Sequence, residues 1–336
     1  MDLTTRYLGL DLPSPLVASA SPLNANLDTL RLLEASGAGA VVLPSVFEEQ
    51  IWRENQILDA LIENGAESFG EALSYFPAQA AFAFDSGNQI ALVEKASAAL
   101  SIPVIASLNG STDSGWTDYA RDFEAAGAAA IELNIYMLPT DPDLSGAEVE
   151  ARYVEIVRSV TTAVKIPVAV KIGPYFSAPA HMAQRLVGAG AKGVVMFNRF
   201  YQPDIDPATL ELKPSLELSH RYEMRLPLLW IGVLAGRLPG SLAATTGVEG
   251  PDDVVRYLLA GADVVMTTSA LLRRGPGHMR VLRDGLVDWL SARGLQGPGE
   301  IRGRLSHERI ADPEAYERAN YIKVLQGFDL SAAGVA

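Results

Sequence analysis

The 336-residue chain contains no cysteine. A disulfide, a thiol nucleophile and a cysteine-held iron–sulfur cluster are therefore excluded from it. Histidine is scarce. His181, His220, His278 and His307 lie far apart without paired ligand spacing, so no metal site is expected. Positive charge is in the minority, with 27 Lys and Arg against 40 Asp and Glu, a net charge of −13. That balance argues against nucleic acid or an anionic membrane as the main partner. No apolar run approaches membrane-spanning length, and the opening residues carry no basic-then-apolar leader. A soluble, cytoplasmic protein is the expectation. Linkers and low-complexity segments are also missing, so residues 1–336 are read as one domain, and 49% apolar residues suffice for a large core.

A repeated phrase is present instead. Ser36-Gly37-Ala38-Gly39-Ala40 returns as Ala126-Gly127-Ala128-Ala129-Ala130, as Gly188-Ala189-Gly190-Ala191-Lys192-Gly193, and as Ala260-Gly261-Ala262-Asp263. Each copy lies where a helical pattern stops and an apolar run begins. Glycine suits a left-handed helix end, and alanine permits close packing of helix on strand. The runs are continuous and not alternating, which means strands buried on both faces and hence a parallel sheet. Eight of them occur, at 16–21, 40–45, 103–108, 130–136, 167–172, 193–198, 241–246 and 263–268. Helical patterns fall between them at 28–35, 116–125, 147–164, 179–187 and 251–260. Eight such units predict an α/β fold, a closed (β/α)8 TIM barrel. Long insertions follow the second strand (46–102, with helical patterns at 48–63 and 89–100) and the sixth (199–240, with the sixth barrel helix at 223–235). The last sixty or so residues, ending with 313–326, read as a closing helix and a helical tail.

The stretch 241–276 ends both its strands in small hydroxyl residues, Thr245-Thr246-Gly247 and Thr267-Thr268-Ser269. Hydroxyls and exposed backbone amides at such turns make a phosphate cradle, and the last two loops of a barrel are a frequent phosphate site. Threonine-rich turns of no function would look the same, and the barrel's site preference favours phosphate. The other strand ends read Ser19/Ser21, Ser45, Ser107/Asn109, Asn134, Lys171 and Asn198. Polar strand ends meet water in any barrel, which explains the serines better than it explains a lysine after Val168-Ala169-Val170. Buried lysines are rare without a partner, so Lys171 is a candidate for chemistry. Gly188 to Gly193 matches G-x-G-x-x-G but precedes a strand, so it is a turn and no dinucleotide site. Carboxylates are scarce at the strand ends, which weakens a paired-acid hydrolase.

In order and spacing, Ser14-Pro15-Leu16-Val17 leading to Ser19-Ala20-Ser21, Glu132-Leu133-Asn134, Val170-Lys171-Ile172 with Pro174-Tyr175-Phe176, Asn198, Thr245-Thr246-Gly247-Val248 and Gly275-Pro276 resemble the dihydroorotate dehydrogenase family, particularly its soluble class 1 branch, over nearly the whole chain. The resemblance implies an FMN-dependent oxidoreductase that oxidises dihydroorotate to orotate in pyrimidine biosynthesis. By carry-over, Thr246, Gly247, Val248, Thr268 and Ser269 would hold the FMN phosphate, with Ser219 on the long loop nearby. Ser19, Ala20, Ser21, Ser45, Asn109, Asn134 and Lys171 would line the flavin and its ribityl chain. Asn134, Asn198 and Lys171 would serve substrate and chemistry. A homodimer and a separate redox partner are implied as well.

The departures fall on the substrate side. Where the family carries a cysteine or serine base, this chain runs Asn134-Ile135-Tyr136-Met137-Leu138-Pro139-Thr140, and methionine is no base. Tyr136, Thr140 and Asp141 are the neighbouring candidates, and a Met137→Cys change is expected to raise turnover. The family's lysine after the second strand falls on Pro44. Two other readings stand beside this one: an FMN enzyme or electron-transfer component acting on another substrate, and a non-redox phosphate-binding lyase or synthase using Lys171 as a Schiff base.

Overall fold

All eight apolar runs become strands of one parallel barrel. The structure, a computed structural model, describes residues 1–47, 86–110, 116–199, 203–213 and 217–317. Its barrel strands are β3 (Leu16–Ala18), β4 (Ala40–Phe47), β5 (Val104–Gly110), β6 (Ala130–Ile135), β7 (Val168–Ile172), β8 (Gly193–Met196), β11 (Ser241–Ala244) and β12 (Val264–Thr267), and β12 closes against β3. Two small antiparallel hairpins, β1 (Thr5–Tyr7) with β2 (Leu10–Leu12) and β9 (Asp204–Asp206) with β10 (Glu211–Lys213), are the other strands among the described residues. Neither hairpin is legible in the apolar pattern, because three-residue strands carry too little period to register.

The helices are α1 (Leu27–Ala35), α2 (Ser86–Ala99), α3 (Trp116–Ala125), α4 (Gly146–Ala163), α5 (Pro179–Gly188), α6 (Arg225–Leu234), α7 (Pro251–Ala260), α8 (Ser269–Arg274) and α9 (His278–Ser291). All the glycines that end the repeated phrase's helices, Gly37, Gly127, Gly190 and Gly261, have positive φ, between 94° and 123°. Only glycine takes up that conformation without strain, which is why the phrase recurs. The expected helix at 48–63 lies outside the described residues. The expected helical tail is corrected in part. After α9 the chain runs through turns and short 3-10 segments at Pro298–Glu300 and Pro313–Tyr316, and Glu317 is extended. Gly294, Gly297, Gly299 and Gly303 with Pro298 explain the break, since both residue types oppose a continuous helix. Residues 318–326 of that tail lie outside the described residues.

Two apolar layers follow from this arrangement. Outward side chains of the strands meet the helices in one large cluster. Inward ones (Val17, Val42, Ile105, Ala169, Val195, Ala243 and Met266 among them) pack with Tyr7, Leu8 and Leu12 of the β1–β2 hairpin. That hairpin is tied to the starts of β11 and β12: Leu8 N–H donates to Ser241 Oγ at 2.9 Å, and Thr5 Oγ1 donates to the Asp263 carbonyl at 3.0 Å. One end of the barrel is thereby stoppered, and the opposite mouth, where the strands end, is left to hold the polar residues.

A second repeated device fixes the units. Glu34, near the end of α1, accepts from Ser101 N at 2.7 Å, Ser101 Oγ at 2.7 Å and Ile102 N at 3.2 Å. Glu124, at the matching place on α3, accepts from Lys165 N at 2.8 Å and Ile166 N at 3.0 Å. Partial burial by itself would raise the Glu34 carboxyl, but the donors from Ser101 and Ile102 outweigh it and hold it below its ordinary value. A carboxyl lowered on folding adds stability above its unfolded value, and that stability is lost as pH falls through the lower native one. Glu34→Gln is therefore expected to lose about 1 kcal/mol at pH 7. Urea unfolding should show its gap to wild type closing as pH drops below about 4.3.

Candidate active site

A cavity of about 680 Å³ opens at the stoppered barrel's free mouth, in the size range of small-molecule sites. It is lined by Ser19, Ala20 and Ser21 after β3, Tyr136 after β6, Lys171 on β7, Asn198 after β8, Ser219 on the long loop, Thr246-Gly247-Val248 after β11 and Thr268-Ser269 after β12. Residues spread over 250 positions of the sequence thus meet in one place because every parallel strand delivers its last residues to the same face. Among the described residues its lining does not include Ser45, Asn109, Asn134 or Thr140. Ser45 is tied sideways to Ser107, Oγ to Oγ at 2.7 Å. Asn109, Asn134 and Lys171 stand in direct register on three adjacent strands, forming one row. Asn134 joins the site through Asn198, whose Nδ2 donates to Asn134 Oδ1 at 2.9 Å. Thr140 and Asp141 are exposed, away from the cavity.

Lys171 does not stand alone at its strand end. Its Nζ is 3.2 Å from Ser19 Oγ and 3.4 Å from Glu132 Oε1, with the Lys171 and Glu132 side chains 10% and 2% exposed. Sequence reasoning missed Glu132 as a functional candidate. The available signal was a carboxylate inside an apolar strand, two residues before Asn134 and so on the same face. Met137 corrects another expectation. It is buried in the apolar cluster outside the barrel and does not line the cavity, so a cysteine at that position would not face a ligand there.

The hydroxyl end of the cavity is held by tertiary bolts. Ser219 Oγ donates to Ser269 Oγ at 2.9 Å, and Gly247 N–H donates to Ser219 Oγ at 3.4 Å. Arg273 of α8 donates to the Leu218 and Ser219 carbonyls at 2.7 and 2.8 Å, clamping the long loop in place. Thr246 has φ of 83°, costly for a β-branched residue. Its Oγ1 donates to the Phe197 carbonyl at 3.1 Å, and Tyr257 of α7 donates to its carbonyl at 2.7 Å from below. Burial, and then the Asp253 charge, push the Tyr257 phenol up, so it remains a donor. Asp253, fully buried, accepts from Glu249 and Gly250 N–H at 3.1 and 2.9 Å and pairs with Arg221 and Arg256, both at 2.7 Å. The loop after β11 is thus fixed from three sides before any ligand arrives.

A closed parallel barrel thus carries, at its open mouth, a hydroxyl-and-amide turn on one side and an ion-paired lysine among amides on the other. No family model matches the chain. Among curated proteins, a putative dihydroorotate dehydrogenase A (fumarate) of Aeropyrum pernix is 30% identical over 213 residues, covering 60% of this chain and 67% of that protein. A dihydroorotate dehydrogenase B (NAD(+)) catalytic subunit of Listeria monocytogenes is 30% identical over 190 residues, 48% of this chain and 55% of that protein. One from Methanocaldococcus jannaschii is 22% identical over 308 residues, 87% and 95% of the two chains. The chain belongs to the dihydroorotate dehydrogenase family, a family of oxidoreductases. Among the described residues no helix is long and apolar enough to cross a membrane.

Tyr257→Phe tests the bolt beneath Thr246. It removes one buried donor and no volume, and is expected to cost about 1–3 kcal/mol in urea unfolding, with the barrel retained by circular dichroism.

Proposed function

We propose that the chain is an FMN-dependent oxidoreductase, with Ser219, Thr246, Gly247, Val248, Thr268 and Ser269 holding the phosphate and Ser19, Ala20, Ser21 and Lys171 lying along the ring. The observation that carries the reading is the turn at Thr246-Gly247. A Cβ on Gly247 would come within 2.9 Å of the His220 carbonyl and 3.0 Å of Met224 N, at a φ of 75°. Glycine there keeps the turn tight beside the Ser269 hydroxyl, which accepts from Ser219 N and Oγ and keeps its own proton for a ligand, while Thr246 and Ser219 would have to turn their hydroxyls from internal partners to join it. Such a set suits the three acceptor oxygens of a phosphate monoester. FMN, when bound, would supply the two-electron acceptor. Ser45 and Asn109, set back from the cavity, would support the row that ends in Lys171.

The chain's own residues divide the remaining work. Lys171, oriented by Ser19 and Glu132, places a positive charge where negative charge develops on reduction. Asn198 and Asn134, once bonded to each other, offer a carbonyl and an amide N–H2 as a complementary pair, matching the lactam or imide edge of a cyclic substrate. Dihydroorotate or a related ring is the substrate class this favours. Loss of a C–H proton also needs a base, worth roughly 10²–10⁴-fold. Tyr136 lines the cavity, whereas Met137 is packed away and Thr140 is exposed, so Tyr136 is the proposed proton acceptor of the set. A tyrosine side chain is an effective general base only where a neighbour activates it. Oxidation of a different substrate, or electron transfer, remains the second reading for that reason. The lyase reading is disfavoured because a Schiff base needs a neutral amine and Lys171 is half of an ion pair. A homodimer and a separate electron-accepting partner belong to this proposal by family resemblance, and any iron–sulfur centre would sit on another chain, since this one has no cysteine.

The purified protein is expected to be yellow and to release FMN, not FAD. Ser269→Ala should weaken FMN binding by about 1–3 kcal/mol in fluorescence titration. A protein that takes up no FMN when supplied would overturn the cofactor assignment. With FMN bound, anaerobic mixing with dihydroorotate should bleach the flavin far more slowly than the 1–10³ s⁻¹ of ordinary enzymes. Bleaching within that range would show that Tyr136, or another group, is an effective base.

A further inference from the structure

Glu132 is only half satisfied. Its Oε1 lies 3.4 Å from Lys171 Nζ, while Oε2 is buried with no hydrogen-bond partner among the described residues. An apolar residue of similar volume would fill that space without the cost of desolvating a charge, so the carboxylate is not there for stability alone. Its charge is felt inside the barrel. The Tyr7 phenol, brought in by the β1–β2 hairpin, is pushed up by burial first and then by Glu132 and Asp263. Among the described residues, the Ser19 hydroxyl lies 3.2 Å from Lys171 Nζ, Asn134 stands in register with Lys171, Tyr7 feels the Glu132 charge from the stoppered end, and Arg199 lines the same cavity.

We infer that Glu132 is a positioning residue that holds Lys171 in place and partly cancels its charge, so that the mouth attracts negative charge less strongly than a lone ammonium would. This rests on the FMN reading for one of its two tests and on the ion pair alone for the other. In the barrel's low-dielectric interior a single charge at this range changes anion affinity by a factor of ten or more. The sign is informative, because a substitution that merely damaged the site would loosen ligands of every charge.

Sulfite is the probe for the loaded protein, since its adduct leaves negative charge on the flavin ring and bleaches its colour. Glu132→Gln is expected to bind sulfite at least about tenfold more tightly than wild type, equivalent to about 1.4 kcal/mol. Glu132→Asp should return toward the wild-type value, and Lys171→Met should bind sulfite more weakly. Unchanged or weaker sulfite binding in Glu132→Gln would overturn the inference. Wild-type protein that takes up no FMN would instead sink the cofactor reading, and a double-substitution cycle then decides. In urea unfolding of flavin-free protein, Glu132→Gln/Lys171→Met is expected to be more stable than Glu132→Gln, because it leaves no unpaired ammonium. Additive losses would overturn the pairing. If Glu132→Gln fails to fold, the double variant folding supports the inference, and its failing too overturns it.

Discussion

A buried ammonium and a buried carboxylate share the mouth of this barrel, and much of the surrounding structure follows from satisfying them. Either charge would be costly to bury in so apolar a place without the other. Closure of the eight strands brings β6 and β7 side by side, so the pair forms along one interstrand seam, and β3 returns Ser19 to complete it. The small inward residues Ala169 and Ala243, beneath the mouth, leave room for the hairpin plug that dries the interior from the other end.

The opposite side of the mouth obeys a different constraint. Its hydroxyls are short and cannot reach for a ligand, so the backbone that bears them must be held in place. Asp253 with two arginines, Tyr257 beneath Thr246, and Arg273 on the loop carbonyls accomplish this. Each is a charged or buried group spent on backbone and not on ligand. Such fixation in advance reduces what must be ordered on binding, which is where affinity for a small anion is usually lost. The positive φ at Thr246 is affordable only inside that frame.

The strand ends at the mouth and the loop after β6 serve different purposes. The residues proposed to hold a cofactor depend mostly on the barrel's own strand ends, with Ser219 added from the long loop. Met137, in the loop leading away from β6, is packing in the outer core and not part of the cavity lining.

Length, the repeated glycine phrase and the continuous apolar runs determined the barrel from sequence alone, because burial on both faces and left-handed helix ends are local properties that local residue types report. The same logic made Lys171, Thr246, Gly247 and Ser269 visible as strand-end residues. What only the tertiary structure decided was partnership. Glu132 sits 39 positions from Lys171, and Arg273 sits 54 from Ser219, so neither contact leaves a trace in spacing. The fate of Met137, the sideways bond of Ser45 and the exposure of Thr140 were likewise set by which way a side chain turns once neighbours are present. Residue type announces that a group is polar or apolar. Only closure of the barrel decides what it meets.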